Sequence, residues 1–140
     1  MSPRDTRTGG VLESMILPAL AMGGYAYRTQ VRIGIRPGGR RHNVDVIAEK
    51  GDRSFLVSLK WQQVGGTAEQ KVPFEIICLM DAIRAGAGAY AKAYVVLGGG
   101  GWSLRNFYVQ GGLEKYLEYR GLVEILTLES FVALANQGKL

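Results

Sequence analysis

Apolar side chains recur at helical spacing over 10–22, where Val11, Leu12, Met15, Ile16, Ala19 and Leu20 share one side of a helix. Pro18 marks a kink or an early end of that helix, and Gly23-Gly24 breaks the pattern. The period then changes to two. Over 25–36, Tyr27, Thr29, Val31, Ile33 and Ile35 alternate with Arg28, Gln30, Arg32, Gly34 and Arg36. This predicts a strand with one apolar face and one face carrying three arginines. Pro37-Gly38-Gly39 is a turn, a second strand runs over 42–48, and a third over 54–61. The short polar link 49–53 joins the last two as a hairpin, so the three strands form an antiparallel meander.

Beyond Gly65-Gly66 a helix extends to about residue 85, with Val72, Ile76, Leu79, Met80 and Ile83 as its apolar stripe. Thr67-Ala68-Glu69-Gln70 has capping-box spacing, while Pro73 offers an alternative first residue. The unbroken apolar run 93–97 predicts a central strand covered on both sides. Four glycines, 98–101, lead to a helix over 103–119 that Gly111-Gly112 interrupts. A short strand over 123–126 and a helix over 128–136, capped near Thr127, complete the chain. The order is α-β-β-β-α-β-α-β-α. It predicts an α/β fold with a central mixed sheet flanked by helices, in a single domain over 1–140.

A chain of 140 residues with 47% hydrophobic and 21% charged residues is long enough to bury a core and has a soluble globular composition. The single cysteine, Cys78, lies in an apolar run and cannot form an internal disulfide. This points to a reducing, cytoplasmic setting. No apolar run reaches the length of a membrane span, and the first residues lack the apolar stretch of a secretory signal. The charge is unevenly placed. Residues 1–60 hold ten Lys/Arg and five Asp/Glu, whereas residues 61–140 hold seven of each. That asymmetry suits a polyanion, because cations that neutralise phosphates release condensed counterions.

The chemistry is concentrated on the second and third strands. Strand alternation puts Ser58, Lys60 and Gln62 on one face, and a short hairpin brings Asp45 beside Ser58 and Lys60. A charged group on a core strand costs free energy unless it is paired or binds a metal. An exposed Asp45–Lys60 salt bridge is the plainest reading of the pair.

With a glutamate on the first helix, Asp45 on one strand and Ser58-Leu59-Lys60 on the next, the chain resembles the PD-(D/E)XK nuclease superfamily. That family includes many restriction enzymes and archaeal Holliday junction resolvases. The resemblance implies a restriction endonuclease-like α-β-β-β-α-β core and a metal-dependent DNA endonuclease. Glu13 corresponds to the helix glutamate, Asp45 to the aspartate and Lys60 to the lysine. Ser58 departs from the pattern, standing where the family usually has Asp or Glu. Some restriction enzymes similarly have Ser-x-Lys and draw the acid from the following helix, which here offers Glu69 and Glu75. Glu69 lies nearer the apolar stripe and ranks slightly first; Glu75 flanks the stripe and better matches the lysine-to-acid separation. A site short of acids, and therefore inactive, is the other outcome.

The resemblance implies Mg2+, with Mn2+ able to substitute, bound by Asp45 and by Glu69 or Glu75, with Glu13 binding a second ion or orienting a water. Lys60 would hold the attacking water or stabilise charge on the phosphate, and Gln62 would bond the DNA backbone near the cut. Arg28, Arg32, Arg36, Arg40 and Arg41 form a candidate phosphate-tracking ridge, to which His42 could add a contact. As the sole histidine, His42 excludes a His-based metal cluster or a Ser-His-Asp triad. The four-glycine run lacks the lysine of a phosphate loop, so no nucleotide cofactor is expected.

The partner expected is DNA, and cutting two strands or a junction calls for a homodimer. The small size suits a junction resolvase-like or phage-type nuclease. The competing readings are a non-catalytic DNA-binding or assembly module that retains the nuclease fold, and a structural protein with an incidental basic face.

Overall fold

The computed structural model describes the backbone of residues 3–140 and side chains from Glu13 onward, so Val11 and Leu12 lie outside the described side chains. The elements are α1 (Pro3–Met22), β1 (Ala26–Ile35), β2 (Arg41–Lys50), β3 (Arg53–Trp61), α2 (Ala68–Ala85), β4 (Lys92–Gly98), α3 (Arg105–Val109), a 3-10 turn (Gly112–Lys115), β5 (Val123–Thr127) and α4 (Leu128–Asn136).

The five strands lie in sequence order across one sheet. β1–β2 and β2–β3 are antiparallel, forming the expected meander, whereas β3–β4 and β4–β5 are parallel. Parallel neighbours require crossovers, which α2 and the α3 region supply. Both pack on the same face, as successive crossovers of one hand in one direction must. Their core joins Val72, Ile76 and Leu79 of α2 to Leu56, Val95 and Leu97 of the sheet. On the other face Ile16 and Leu20 of α1 and Phe131 of α4 pack against Val46, Phe55, Val57, Tyr94 and Val96. β4 is buried along its whole length except Lys92, as its apolar run predicts.

Three local readings are decided or changed. α1 continues past Pro18 to Met22, and Met15, expected on its apolar stripe, is 44% exposed. α2 begins at Ala68 with Pro73 inside it. Proline has no N–H to give the carbonyl four residues earlier, which is that of Glu69. The Tyr108 hydroxyl donates to that carbonyl instead, at 2.6 Å, tying α3 to α2. The helix expected over 103–119 is only the five-residue α3 and the 3-10 turn. Gly111, at φ +83°, turns the backbone left-handed between them.

The 98–101 glycines form a packed bend. Gly101 N–H donates to the Gln62 carbonyl at 2.8 Å, and a Cβ on Gly101 would lie 2.5 Å from the Val64 nitrogen. Only glycine allows that approach. Among the described residues no helix is long and apolar enough to cross a membrane.

Candidate active site

The site lies where β2 parts from β3 and its pairing with β1 skips one position. The β2–β3 pairing begins at Val46↔Val57, and the β1–β2 pairing passes from Thr29↔Val46 to Val31↔Val44, missing Asp45 and Gln30. Side-chain alternation slips at the same place. Val44 and Ile47 both join the α2-side core, while Val46 joins the opposite one. Asp45 is therefore half-buried at a break in the sheet.

The β3 backbone holds Asp45 in place: the Leu59 N–H donates to Asp45 Oδ2 at 2.7 Å. Burial raises the Asp45 pKa above the ordinary aspartate value, and the Leu59 hydrogen bond and the Lys60 charge only partly oppose this. A carboxylate held against its preferred hydration gains from a nearby cation.

Ser58 and Lys60 project together from β3 toward α2. There the Ser58 hydroxyl donates to Glu75 Oε2 at 2.5 Å, and Lys60 Nζ lies 3.8 Å from Glu75 Oε1. One helix carboxylate thus contacts both the serine and the lysine of the strand. The Glu75 charge is also felt at Asp45, where it opposes ionisation. The structure brings together Asp45, Ser58, Lys60 and Glu75.

Glu69 is elsewhere. Its carboxylate accepts from Ser103 N–H at 2.6 Å, Leu104 N–H at 3.0 Å, the Ser103 hydroxyl at 3.0 Å and Gln62 Nε2 at 2.9 Å. These donors hold its pKa below the ordinary range, the Ser103 backbone bond contributing most. A carboxylate has about four lone-pair directions, and here they are occupied. Gln62 is likewise engaged, its amide also donating to the Gly101 carbonyl at 2.8 Å. The pair fastens the segment after β4 to the start of α2.

Glu13 approaches from α1, accepting a hydrogen bond from Gln30 Nε2 at 2.9 Å. Gln30 is a residue that sequence reasoning passes over, since a polar residue on the outer face of a strand looks like any solvated one. Its left-handed backbone, φ +53°, leaves no trace in residue type.

The five arginines divide. Arg32, Arg40 and Arg41 are exposed. Arg28 lies 3.7 Å from Glu49, and Arg36 lies over the Phe74 ring, 5.5 Å from its centre. His42 is only 3% exposed, and its Nε2 has no hydrogen-bond partner among the described residues. It faces inward, with Arg36 the ridge arginine whose charge reaches it.

The donor set suits a hard divalent cation. Asp45 and Glu75 offer carboxylate oxygens from adjacent elements, and Mg2+ characteristically takes one or two carboxylates and keeps several waters. Among the described residues no group of three or more His, Cys, Asp or Glu is gathered for a metal, so solvent and substrate oxygens would complete the shell.

The chain belongs to the PD-(D/E)XK nuclease superfamily, whose domain model matches residues 4–139. It is thus a nuclease-type domain, with the mixed α/β sheet described above. No curated protein matches it. Among solved structures it is similar to a protein of unknown function, AF1548, with a TM-score of 0.49 and 11% identity over 83% of this chain and 56% of that one. It is also similar to the small subunit of a heterodimeric restriction endonuclease, with a TM-score of 0.44 and 16% identity over 84% of this chain and 61% of the other. The chain therefore spans less than two thirds of the length of either structure.

Proposed function

We propose that this chain is a Mg2+-dependent DNA endonuclease in which Glu75 replaces the acid that Ser58 lacks. The observation that carries this reading is the Glu75 carboxylate against both Ser58 and Lys60, with Asp45 on the adjacent strand. Asp45 and Glu75 would hold the ion, with Mn2+ able to substitute. When bound, it would supply Lewis-acid relief of charge on the phosphate and a more acidic water.

Lys60 contributes a fixed positive charge at the site, suited to orienting the attacking water and to stabilising charge that grows on phosphate oxygens. Ser58 fixes the Glu75 carboxylate rather than binding metal itself. Exposed Arg32, Arg40 and Arg41 supply positive charge for the phosphate backbone. A second copy would provide the second site needed to cut two strands or a junction, so a homodimer is expected on DNA. The free, buried Cys78 fits a reducing, cytoplasmic setting.

One observation favours the alternative of a non-catalytic DNA-binding module: the absence of a third metal-ligating side chain among the described residues. Plasmid and four-way-junction DNA incubated with Mg2+, Mn2+ or EDTA separate the readings. Metal-dependent cutting lost in Asp45→Ala and Lys60→Ala supports the nuclease. Folded protein that binds DNA without cutting it in either metal supports the module.

A further inference from the structure

We propose that Gln30 is a positioning residue that couples Glu13 of α1 to Asp45, so that the site is assembled from both faces of the sheet. This rests on the metal-dependent reading above. α1 packs on one face of the sheet and α2 on the other, so Glu13 and Glu75 come from opposite layers. Gln30 stands between those layers, opposite Asp45 where the β1–β2 pairing is interrupted.

Three observations converge on this residue. The Gln30 amide donates to Glu13 Oε2 at 2.9 Å. The β1–β2 register, with Thr29↔Val46 on one side and Val31↔Val44 on the other, sets Gln30 directly across from Asp45. The backbone at Gln30 is left-handed, at φ +53°, a conformation that is unfavourable for a non-glycine residue. Such strain persists where surrounding interactions fix the residue. Here the residue stands between two acids, its amide on Glu13 and its strand position facing Asp45. Gln30 need not touch metal or DNA. It acts by holding the two carboxylates in register.

The test is Mn2+ affinity of the DNA-free protein, with melting temperature measured in parallel. Gln30→Gly removes the amide while suiting the left-handed backbone, so folding is preserved. Mn2+ binding should weaken about tenfold or more, the usual effect of removing a group that orients a ligand. Gln30→Glu keeps the length but replaces the donors by a third carboxylate, and should not reproduce the wild-type affinity. Adding Glu13→Gln to Gln30→Gly should cause little further loss, because Glu13 acts through Gln30.

If wild type binds Mn2+, Asp45→Asn loses it and Gln30→Gly binds as wild type does, this inference falls while the metal-dependent reading stands. Fully additive effects of Glu13→Gln and Gln30→Gly likewise overturn the coupling. If wild type and Asp45→Asn bind Mn2+ equally, or neither binds, the metal-dependent reading itself fails and takes this inference with it.

Discussion

Ser58 donates its hydroxyl to Glu75 Oε2 at 2.5 Å, joining the strand position where an acid is expected to a helix acid 17 residues later. The charge needed at that place is therefore present, but it arrives from a different element. Glu75→Ser should lower metal-dependent cleavage by about 100-fold or more, since each 1.36 kcal/mol of lost transition-state stabilisation is a factor of ten. Moving the acid back, as Ser58→Asp combined with Glu75→Ser, should recover a substantial part of the rate. Single-turnover cleavage of plasmid DNA in Mn2+ reads both effects. A double variant as inactive as Glu75→Ser would mean that the serine position cannot take over the acid.

Glu69 should behave differently. Its carboxylate accepts from Ser103, Leu104 and Gln62, so it fixes the segment leading into α3. Glu69→Gln replaces one of the two acceptor oxygens with a donating NH2, so one of the backbone N–H groups of Ser103 and Leu104 must lose its bond. The melting temperature should fall, while Mn2+ affinity at the temperature where the variant remains folded should stay within about threefold of wild type. Calorimetry and Mn2+ titration together check this, and a selective loss of Mn2+ binding would reassign Glu69 to the site.

The contrast between these two glutamates marks the limit of what the chain's pattern discloses. The apolar run of β4 made the central strand legible, because burial on a sheet writes itself directly into residue type. The alternation of β1 marked a strand but not a buried face, since Tyr27 and Ile35 are exposed and only Val31 and Ile33 are half-buried. Asp45 and Lys60 were legible for a similar reason, as charges on strands that otherwise enter the core. Glu69 and Glu75 both border the apolar stripe of α2, and both are buried. Which of them meets Ser58 is a three-dimensional fact: Glu69 is taken up by Ser103, Leu104 and Gln62, and Glu75 is the one against the serine. The length of α3 was hidden because Gly111 could interrupt a helix or merely weaken it until its left-handed φ is known.

The exposed arginines predict a salt-dependent DNA affinity. Arg32, Arg40 and Arg41 are available, whereas Arg28 and Arg36 are engaged with Glu49 and Phe74. The triple alanine variant should weaken binding to all DNA sequences alike. The slope of log affinity against log salt should flatten by about 0.9 for each phosphate that is no longer neutralised. Fluorescence anisotropy at several salt concentrations measures the slope. An unchanged slope would move the DNA path off this part of the surface.

His42 should set an acid limit on stability. Burial lowers its pKa below 6.5, with Glu75 and Asp81 opposing and Arg36 and Lys60 assisting that shift. The unfolded chain therefore takes up the proton more readily than the folded one. Stability is fully present above pH 6.5 and declines as pH falls through 6.5 toward the lower folded value. His42→Leu cannot take up that proton, and Nε2 has no partner to lose. The drop in melting temperature between pH 7 and pH 5 should be smaller in the variant, by about 2 °C or more. Equal drops would show that His42 is solvated well enough to protonate in place.

Asp45 carries the opposite sign. Burial raises its folded pKa above the ordinary value of 3.8, so the folded chain binds this proton more tightly than the unfolded one. The resulting deficit is absent below pH 3.8, develops as pH rises through the interval up to the folded pKa, and persists at neutral pH. Without divalent metal, Asp45→Asn should therefore melt higher than wild type at pH 7, and this advantage should disappear near pH 3.5. Asparagine retains an oxygen for the Leu59 N–H, which limits the effect to charge. Saturating Mg2+ should raise the wild-type melting temperature and leave Asp45→Asn almost unmoved, because an ion that binds only the folded state stabilises it in proportion to its occupancy. Thermal melts in EDTA and in Mg2+ across this pH range test both halves. A variant no more stable than wild type in EDTA would mean that Asp45 is ionised without penalty, and the sheet break would then need no cation beside it.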